Sequence, residues 1–257
     1  MAMDDHSHSA PRPPLLLIHG THAGAWMFER WLPWFEARGH RCVAIDLPGH
    51  AGAPLPAGST LGRIRFGAYV DRAQAAAAAL DRPIVIGHSL GGLVAQALAE
   101  RDAVRGAALV SPAPPRGIPV IGARMLAYQL RDLPAVLLGR ALQPSWPTMR
   151  ALVLNRVLPE EQRALFDRLG PESGTVSRQL ALTGVRVDAR RVRCPMLVIA
   201  GDEDRYIPPG RSRRVARRYQ VPLRVLPGRG HVMMQEPGWE EAASVIAEWV
   251  EQVTGDR

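Results

Sequence analysis

The stretch VIGHSLGGLV, residues 85 to 94, places one serine between two glycines where an apolar run changes into a helical pattern. The run PIVI just before the turn has the β-branched composition of a buried strand, and LVAQALAE after it has the apolar spacing of a helix. A serine at a strand-to-helix turn presents its hydroxyl for reaction, and flanking glycines let other backbone approach closely. This context predicts that Ser89 is a nucleophile rather than a polar residue in a glycine-rich turn.

Outward from this stretch, short apolar runs alternate with helical patterns along the chain. Strands are predicted at 14–20, 41–49, 82–89, 106–113, 194–202 and 222–231. Helices are predicted near 26–38, 66–81, 90–102, 209–219 and 238–253. Such alternation is typical of βαβ units, so we predict an α/β fold with a mostly parallel sheet of about six strands flanked by helices.

One gap interrupts the alternation, because about 80 residues separate the strand ending near Val110 from the strand starting near Cys194. A structureless loop of that length is implausible in a compact domain, and this gap holds apolar helical segments separated by prolines. We therefore predict an inserted helical cap. The predicted units are a disordered tail at 1–13, a core formed by 14–111 and 191–257, and a cap at 112–190.

The basic excess of the chain is carried entirely by arginine, with a formal net charge of +8 and no lysine. The densest basic stretch, RSRRVARRYQ at 211–220, leaves Val215, Ala216 and Tyr219 to pack and predicts an amphipathic helix with a solvated arginine face. We therefore expect no nucleic-acid partner. No stretch approaches 18 consecutive apolar residues and no signal-peptide pattern is visible, so we expect a cytoplasmic protein without membrane insertion.

The cysteines and the N-terminal polar sequence give no sign of a metal or redox site. Cys42 and Cys194 lack C-x-x-C spacing, so they are expected to be small buried residues in a reducing compartment. The sequence DDHSH near the N-terminus is expected to be part of an untethered tail rather than a metal ligand set. We expect no metal and no organic cofactor.

At the nucleophile stretch the chain resembles the α/β-hydrolase family, and the resemblance runs from about residue 14 to the C-terminus. The stretch VIAGDEDRYIP resembles the acid loop of that family, with Asp204 three residues after Gly201. The stretch LPGRGHVMMQEP resembles the family's histidine loop and contains His231. The resemblance implies a catalytic triad of Ser89, Asp204 and His231. Asp202 is expected instead to bond backbone amides and shape the turn.

The stretch HGTHAGAW, residues 19–26, resembles the His-Gly loop of the same family. The resemblance implies an oxyanion hole made by the backbone N–H groups of Thr21 and Leu90, with His19 and Gly20 shaping the loop. For His22, pocket-lining and structural roles remain equally open. The predicted substrate-contacting residues are His22, His88, Met125 and Trp146, although His88 is expected to point away from the serine.

Together the motifs imply a serine hydrolase that cleaves an ester or related acyl bond of a small, partly apolar molecule through an acyl-enzyme at Ser89. Thioester, lactone and amide substrates fit the same machinery. The His-Gly loop is also similar to that of plant hydroxynitrile lyases, but such lyases use a lysine that this chain lacks. The alternatives that stay open are a cofactor-free perhydrolase, similar to bacterial haloperoxidases, and a ligand receptor without turnover.

Overall fold

The computed structural model describes residues 12–119 and 133–255. The strands are, in chain order, β1 Leu15–Ile18, β2 Cys42–Ile45, β3 Ile84–His88, β4 Gly106–Val110, β5 Ala141–Leu142, β6 Glu172–Ser173, β7 Met196–Gly201 and β8 Leu223–Leu226. Six of them form one parallel sheet in the order β2-β1-β3-β4-β7-β8, and β5 pairs with β6 in an antiparallel ladder. The predicted six-stranded parallel α/β fold is therefore confirmed.

The described helices account for the remaining regular structure. They are α1 Trp31–Glu36, α2 Phe66–Ala79, α3 Leu90–Glu100, α4 Leu133–Leu138, α5 Trp146–Thr148, α6 Pro159–Asp167, α7 Gly174–Arg178, α8 Pro209–Tyr219 and α9 Glu240–Thr254. Short 3₁₀ turns lie at Ala25–Phe28, Leu61–Arg63 and Ala189–Arg191, and π-helical turns lie at Met149–Val153 and Gln179–Thr183. Within the described ranges, no helix combines the length and apolar composition that crossing a membrane requires.

The strand side chains alternate between two cores, one on each face of the sheet. Leu16 and Ile18 of β1 pack in the core that α2, α3 and α8 cover. Leu15 and Leu17 pack in the opposite core, which α1 and α9 cover. Because successive residues of a strand point to opposite faces, a strand buried on both faces is apolar throughout, as LLLI is. The helices therefore fix the sheet from both sides.

Helix α8 shows how the arginine-rich stretch is accommodated. Val215 and Ala216 are buried against the sheet, Tyr219 is half-buried, and Arg213 and Arg217 are exposed. The predicted amphipathic helix with a solvated arginine face is thus present. The cysteines differ from expectation in being only half-buried: Cys42 is the first residue of β2, and Cys194 lies two residues before β7.

The chain between β4 and β7 contains α4 to α7 and the β5–β6 ladder, with a break in the description at 120–132. Met125 therefore lies outside the described residues, as do residues 1–11 of the predicted tail. The parallel strands of the main sheet all end at one edge, where loops meet in open α/β folds. The loops that follow β1, β3, β7 and β8 build the site at this edge.

Candidate active site

Ser89 lies at the turn between β3 and α3 with a left-handed backbone, φ 52° and ψ −115°. Its amide donates to the carbonyl of Val110 in the neighbouring strand at 3.0 Å, which fixes the turn to the sheet. A Cβ atom on Gly91 would lie 2.1 Å from the carbonyl oxygen of Ile18, and one on Gly87 would lie 2.3 Å from that of Gly91. Both glycines are thus required sterically, which explains the Gly-x-Ser-x-Gly spacing.

Asp204 and His231 meet on the loops that follow β7 and β8. His231 donates from Nδ1 to Oδ2 of Asp204 at 2.9 Å, and both side chains are buried. The other carboxylate oxygen of Asp204 accepts the amides of Tyr206 and Ile207 at 2.9 and 2.8 Å. Asp204 is therefore held rigidly, and the Nδ1 proton of His231 leaves Nε2 as its unprotonated nitrogen.

Asp202, the other aspartate of the loop, occupies a different environment. Its side chain is exposed, whereas that of Asp204 is 3% exposed. Asp204, rather than Asp202, accepts backbone amides in this loop, from Tyr206 and Ile207. The structure thus brings Asp204, and not Asp202, to the imidazole.

Ser89 and His231 line the same cavity at the carboxyl edge of the sheet. Most of the wall is apolar and includes Trp26, Met27, Met149, Val153, Leu165 and Leu169. Several of these side chains come from the chain between β4 and β7, so that segment forms part of the wall. The cavity can hold an apolar group next to a serine and an imidazole.

Two backbone amides lie beside the serine, one on the loop after β1 and one at the start of α3. Among residues 12–119 and 133–255, the amides of Thr21 and Leu90 donate to no other group, and Thr21 lines the cavity. Leu90 begins helix α3, whose N-terminus favours negative charge. A Cβ on Gly20 would lie 3.0 Å from Ser89 Cβ, so glycine permits the close approach of this loop. The arrangement can hold a developing oxyanion.

His19 holds the same loop in place. Its Nε2 accepts the amide of Leu47 at 3.0 Å, so the proton lies on Nδ1, which donates to the carbonyl of Gly20 at 2.8 Å. Burial and the neighbouring His50 lower the pKa of His19 to about 4. His19 is therefore neutral near pH 7, and both of its nitrogens are engaged.

His88 also lines the cavity, directly before the serine. Its Nε2 donates to the carbonyl of His231 at 2.9 Å, and the two rings lie 4.8 Å apart. Burial, and next the proximity of His231, hold the pKa of His88 well below 6.5. His88 thus supports the backbone of His231 as a neutral donor.

Two other predicted contact residues are not brought to this cavity. His22 donates from Nδ1 to the carbonyl of Gly170 at 2.9 Å and accepts the Gly170 amide at its own carbonyl at 2.8 Å. Trp146 packs edge-on against Phe166, with 5.2 Å between ring centroids. Both residues connect parts of the fold within the described ranges.

Sequence reasoning missed a carboxylate beside the histidine loop. Glu236 is 1% exposed, and its two oxygens accept the amides of Gly230 and Val232 at 2.7 and 3.2 Å. The only signal in the sequence is an acidic residue five positions after His231, which by itself is uninformative.

Sequence reasoning also missed a second buried histidine–carboxylate pair. His50 Nε2 lies 3.1 Å from Glu172 Oε2, and Tyr69 donates its hydroxyl to Glu172 Oε1 at 2.7 Å. Burial alone would raise the pKa of Glu172, but the hydrogen bond and charge of His50 outweigh burial and lower it to about 2. Burial likewise opposes protonation of His50, and Glu172 outweighs it, so the pKa of His50 is raised. Within the described part of the chain, no cluster of His, Cys, Asp and Glu is arranged to hold a metal ion.

The fold and this site define a known class. Residues 15–245 match the model of the alpha/beta hydrolase family, and the chain belongs to that family. Its sheet of parallel strands places the serine, aspartate and histidine after β3, β7 and β8, in that chain order.

Particular relatives carry the names of esterases and lipases. The chain is 31% identical to a pimeloyl-[acyl-carrier protein] methyl ester esterase of Neisseria meningitidis, over 75% of this chain and 76% of that protein. It is 28% identical to the probable esterase PIR7A of Oryza sativa subsp. indica, over 66% of this chain, and the match spans only 65% of the rice protein. The crystal structure of a Paleococcus ferrophilus monoacylglycerol lipase superposes with a TM-score of 0.71 at 23% identity, covering 94% of this chain and 96% of that one.

Proposed function

We propose that this protein is a serine hydrolase of carboxylic esters, with Ser89 as nucleophile, His231 as base and Asp204 as the orienting acid. The observation that carries the proposal is the His231–Asp204 hydrogen bond at 2.9 Å in a pair whose imidazole lines a cavity with Ser89. A serine hydroxyl is a weak nucleophile near pH 7 and needs such a base. The esterase and lipase names of the relatives agree with this chemistry.

The reaction follows from these positions. Ser89 Oγ attacks the ester carbonyl while His231 Nε2 takes its proton, and Asp204 stabilises the imidazolium that forms. The amides of Thr21 and Leu90 bind the carbonyl oxygen as it becomes negative. The imidazolium then gives its proton to the departing alcohol. In the second half of the reaction, His231 Nε2 takes a proton from a water molecule that attacks the acyl carbon, and it returns that proton to Ser89 Oγ as the carboxylic acid leaves.

The substrate proposed is a small ester with an apolar portion, and the chain at 112–190 is proposed to act as a cap that limits its size. The support is the apolar wall contributed by Met149, Val153 and Leu165. In Leu165→Trp the larger side chain should narrow the set of p-nitrophenyl esters hydrolysed, leaving the acetate nearly unaffected. Leu158→Trp, at an exposed position of the same segment, is the matched control. An equal loss across all esters would refute the cap role.

The decisive experiment is labelling with a fluorophosphonate probe together with an ester panel that includes thioesters and lactones. Wild type should be labelled and turn over, and Ser89→Ala should do neither, because the triad acts as a unit. Ser111→Ala is the matched control, since Ser111 is a buried serine with φ 43° that follows the neighbouring strand β4. Labelling that persists in Ser89→Ala would refute the nucleophile. A single slow turnover would favour a receptor, and peracid formation as the main activity would favour a perhydrolase.

A further inference from the structure

The buried carboxylate of Glu236 accepts hydrogen bonds from the backbone amides on both sides of His231. Glu236 Oε2 accepts the amide of Gly230 at 2.7 Å and Oε1 accepts the amide of Val232 at 3.2 Å. These are the residues directly before and after His231. Two amides that converge on one anion fix the intervening residue, as in backbone nests that bind anions.

These hydrogen bonds matter because His231 lies on a loop between β8 and α9, where neither a strand ladder nor a helix fixes its backbone. Further hydrogen bonds to the loop run from His88 Nε2 to the carbonyl of His231 and from the amide of Glu203 to the carbonyl of Arg229, each at 2.9 Å. Gly230 is shaped to the carboxylate, since a Cβ there would lie 2.7 Å from Glu236 Oε1. The loop and Glu236 therefore fit each other closely.

The charges around Glu236 make its burial costly. Burial is the largest cause that raises the pKa of Glu236, the Gly230 amide and His231 lower it, and Asp204 adds to the rise, so the pKa is about 7. The nearby cations are engaged elsewhere: Arg156 binds the carbonyl of Gly228 and pairs with Glu203, and Arg229 pairs with Glu241. An acid retained in such a place is a candidate for a role in function.

We propose that Glu236 is a positioning residue for His231, holding the imidazole on its line between Asp204 and the serine and adding negative charge that favours the imidazolium formed during catalysis. The inference rests on the hydrolase function proposed above. Glu236 does not line the cavity among the described residues, so it acts through His231 and not on the substrate.

The test is Glu236→Gln, in which the amide oxygen can accept one of the two N–H groups and the charge is lost. We expect kcat to fall on the order of 100-fold, as for a misplaced catalytic group, with KM little changed. Below about pH 7 protonation of Glu236 removes this negative charge in the wild type, whereas the glutamine variant has no such group to protonate. The acid limb of log kcat against pH should therefore be shallower in the variant than in wild type.

Glu241→Gln is the matched control, because it removes a carboxylate from the same part of the chain at a half-exposed ion pair with Arg229. The proposal would be overturned if Glu236→Gln had the same kcat, and the same slope of log kcat at low pH, as Glu241→Gln. If the glutamine variant does not fold, Glu236→Asp serves as the test, because aspartate keeps the negative charge but its shorter side chain cannot reach both amides. A lowered kcat with a steep acid limb in Glu236→Asp supports the proposal, and a wild-type kcat overturns it.

The two proposals fail in different ways. Wild type that is neither labelled at Ser89 nor active on esters would refute the hydrolase, and the role of Glu236 with it. Wild type that is labelled and active, with an unchanged Glu236→Gln variant, would refute the role of Glu236 alone.

Discussion

Within residues 12–119 and 133–255, two buried histidine–carboxylate pairs have similar lengths and different surroundings. His231 lies 2.9 Å from Asp204, and His50 lies 3.1 Å from Glu172. In the first pair Nε2 of the imidazole is left for the cavity that Ser89 also lines. In the second, His50 contacts the carbonyl of Pro48 with its other nitrogen at 3.3 Å. A histidine with both nitrogens engaged has no capacity left to accept a proton from a nucleophile.

The second pair joins distant parts of the fold. Glu172 belongs to β6 in the chain between β4 and β7, His50 follows β2, and Tyr69 lies on α2. The hydroxyls of Ser173 and Thr175 reinforce the junction by donating to the carbonyl of Gly62 at 3.2 and 2.8 Å. The same residue types are thus proposed to serve chemistry after β8 and, after β2, to join segments that are distant in the sequence.

The largest expected difference between the pairs is kinetic. Asp204→Asn should lower kcat by about 10⁴ on a small ester, because the amide favours the wrong imidazole tautomer. Glu172→Gln should change kcat by no more than about threefold, since its partner His50 does not face the cavity. Steady-state kinetics with the same ester measures both. Comparable decreases of kcat in the two variants would show that the His50–Glu172 pair contributes to catalysis as much as the His231–Asp204 pair does.

Unfolding stability should rank the pairs in the opposite order. Glu172→Gln keeps one acceptor oxygen for His50 and Tyr69 together and removes the buried counterion of His50, a loss that typically costs about 3–5 kcal/mol. Asp204→Asn should cost less, because the amide oxygen still accepts the amides of Tyr206 and Ile207. Urea unfolding of the two variants tests the ranking. If Asp204→Asn had the lower free energy of unfolding of the two variants, the His231–Asp204 pair would contribute more to the stability of the fold than the His50–Glu172 pair.

A smaller effect is expected when only one hydrogen bond of the second pair is removed. Tyr69→Phe deletes a buried donor to a charged carboxylate, a bond worth roughly 1.5–3 kcal/mol. Tyr219→Phe is the control, since that hydroxyl donates to the neutral amide oxygen of Gln96 at 3.0 Å and should cost only about 1 kcal/mol. Equal losses in thermal melts would argue against an ionised Glu172.

The smallest effect concerns pH. Glu172, with its pKa lowered from 4.5 to about 2, contributes stability above pH 4.5 that is lost as pH falls toward 2. His50, with its pKa raised above 6.5, contributes stability below pH 6.5 that is lost as pH rises through its folded value. The stability difference between wild type and Glu172→Gln should therefore be widest between pH 4.5 and 6.5. A difference that keeps growing above pH 8 would contradict protonation of His50.

Features carried by local sequence were predicted well. The alternation of apolar runs and helical patterns indicated the six strands, because each parallel strand is buried on both faces and reads as a continuous apolar run. Ser89 stood out because the steric needs of its turn are met by adjacent glycines. The placing of Asp204 and His231 came from family resemblance in two short loops.

Features that join distant segments could not be predicted. His50 and Glu172 are 122 residues apart, and nothing near either residue in the chain distinguishes it from a surface group. His22 was left open between two roles because its partner, Gly170, lies 148 residues away. Glu236 is close to His231 in sequence, but its bonds to the two amides depend on how the loop folds back.

The left-handed conformation of Ser89 also has a meaning for selection. A side chain at φ 52° costs of order 1–3 kcal/mol, and glycine would pay none of the steric part. Ser111 has a similar φ outside the cavity, so a positive φ alone does not identify a nucleophile. Under the proposed function, the conformational cost at Ser89 accompanies the presentation of its hydroxyl to the cavity, and a descendant no longer selected for ester hydrolysis would gain stability by replacing Ser89 with glycine.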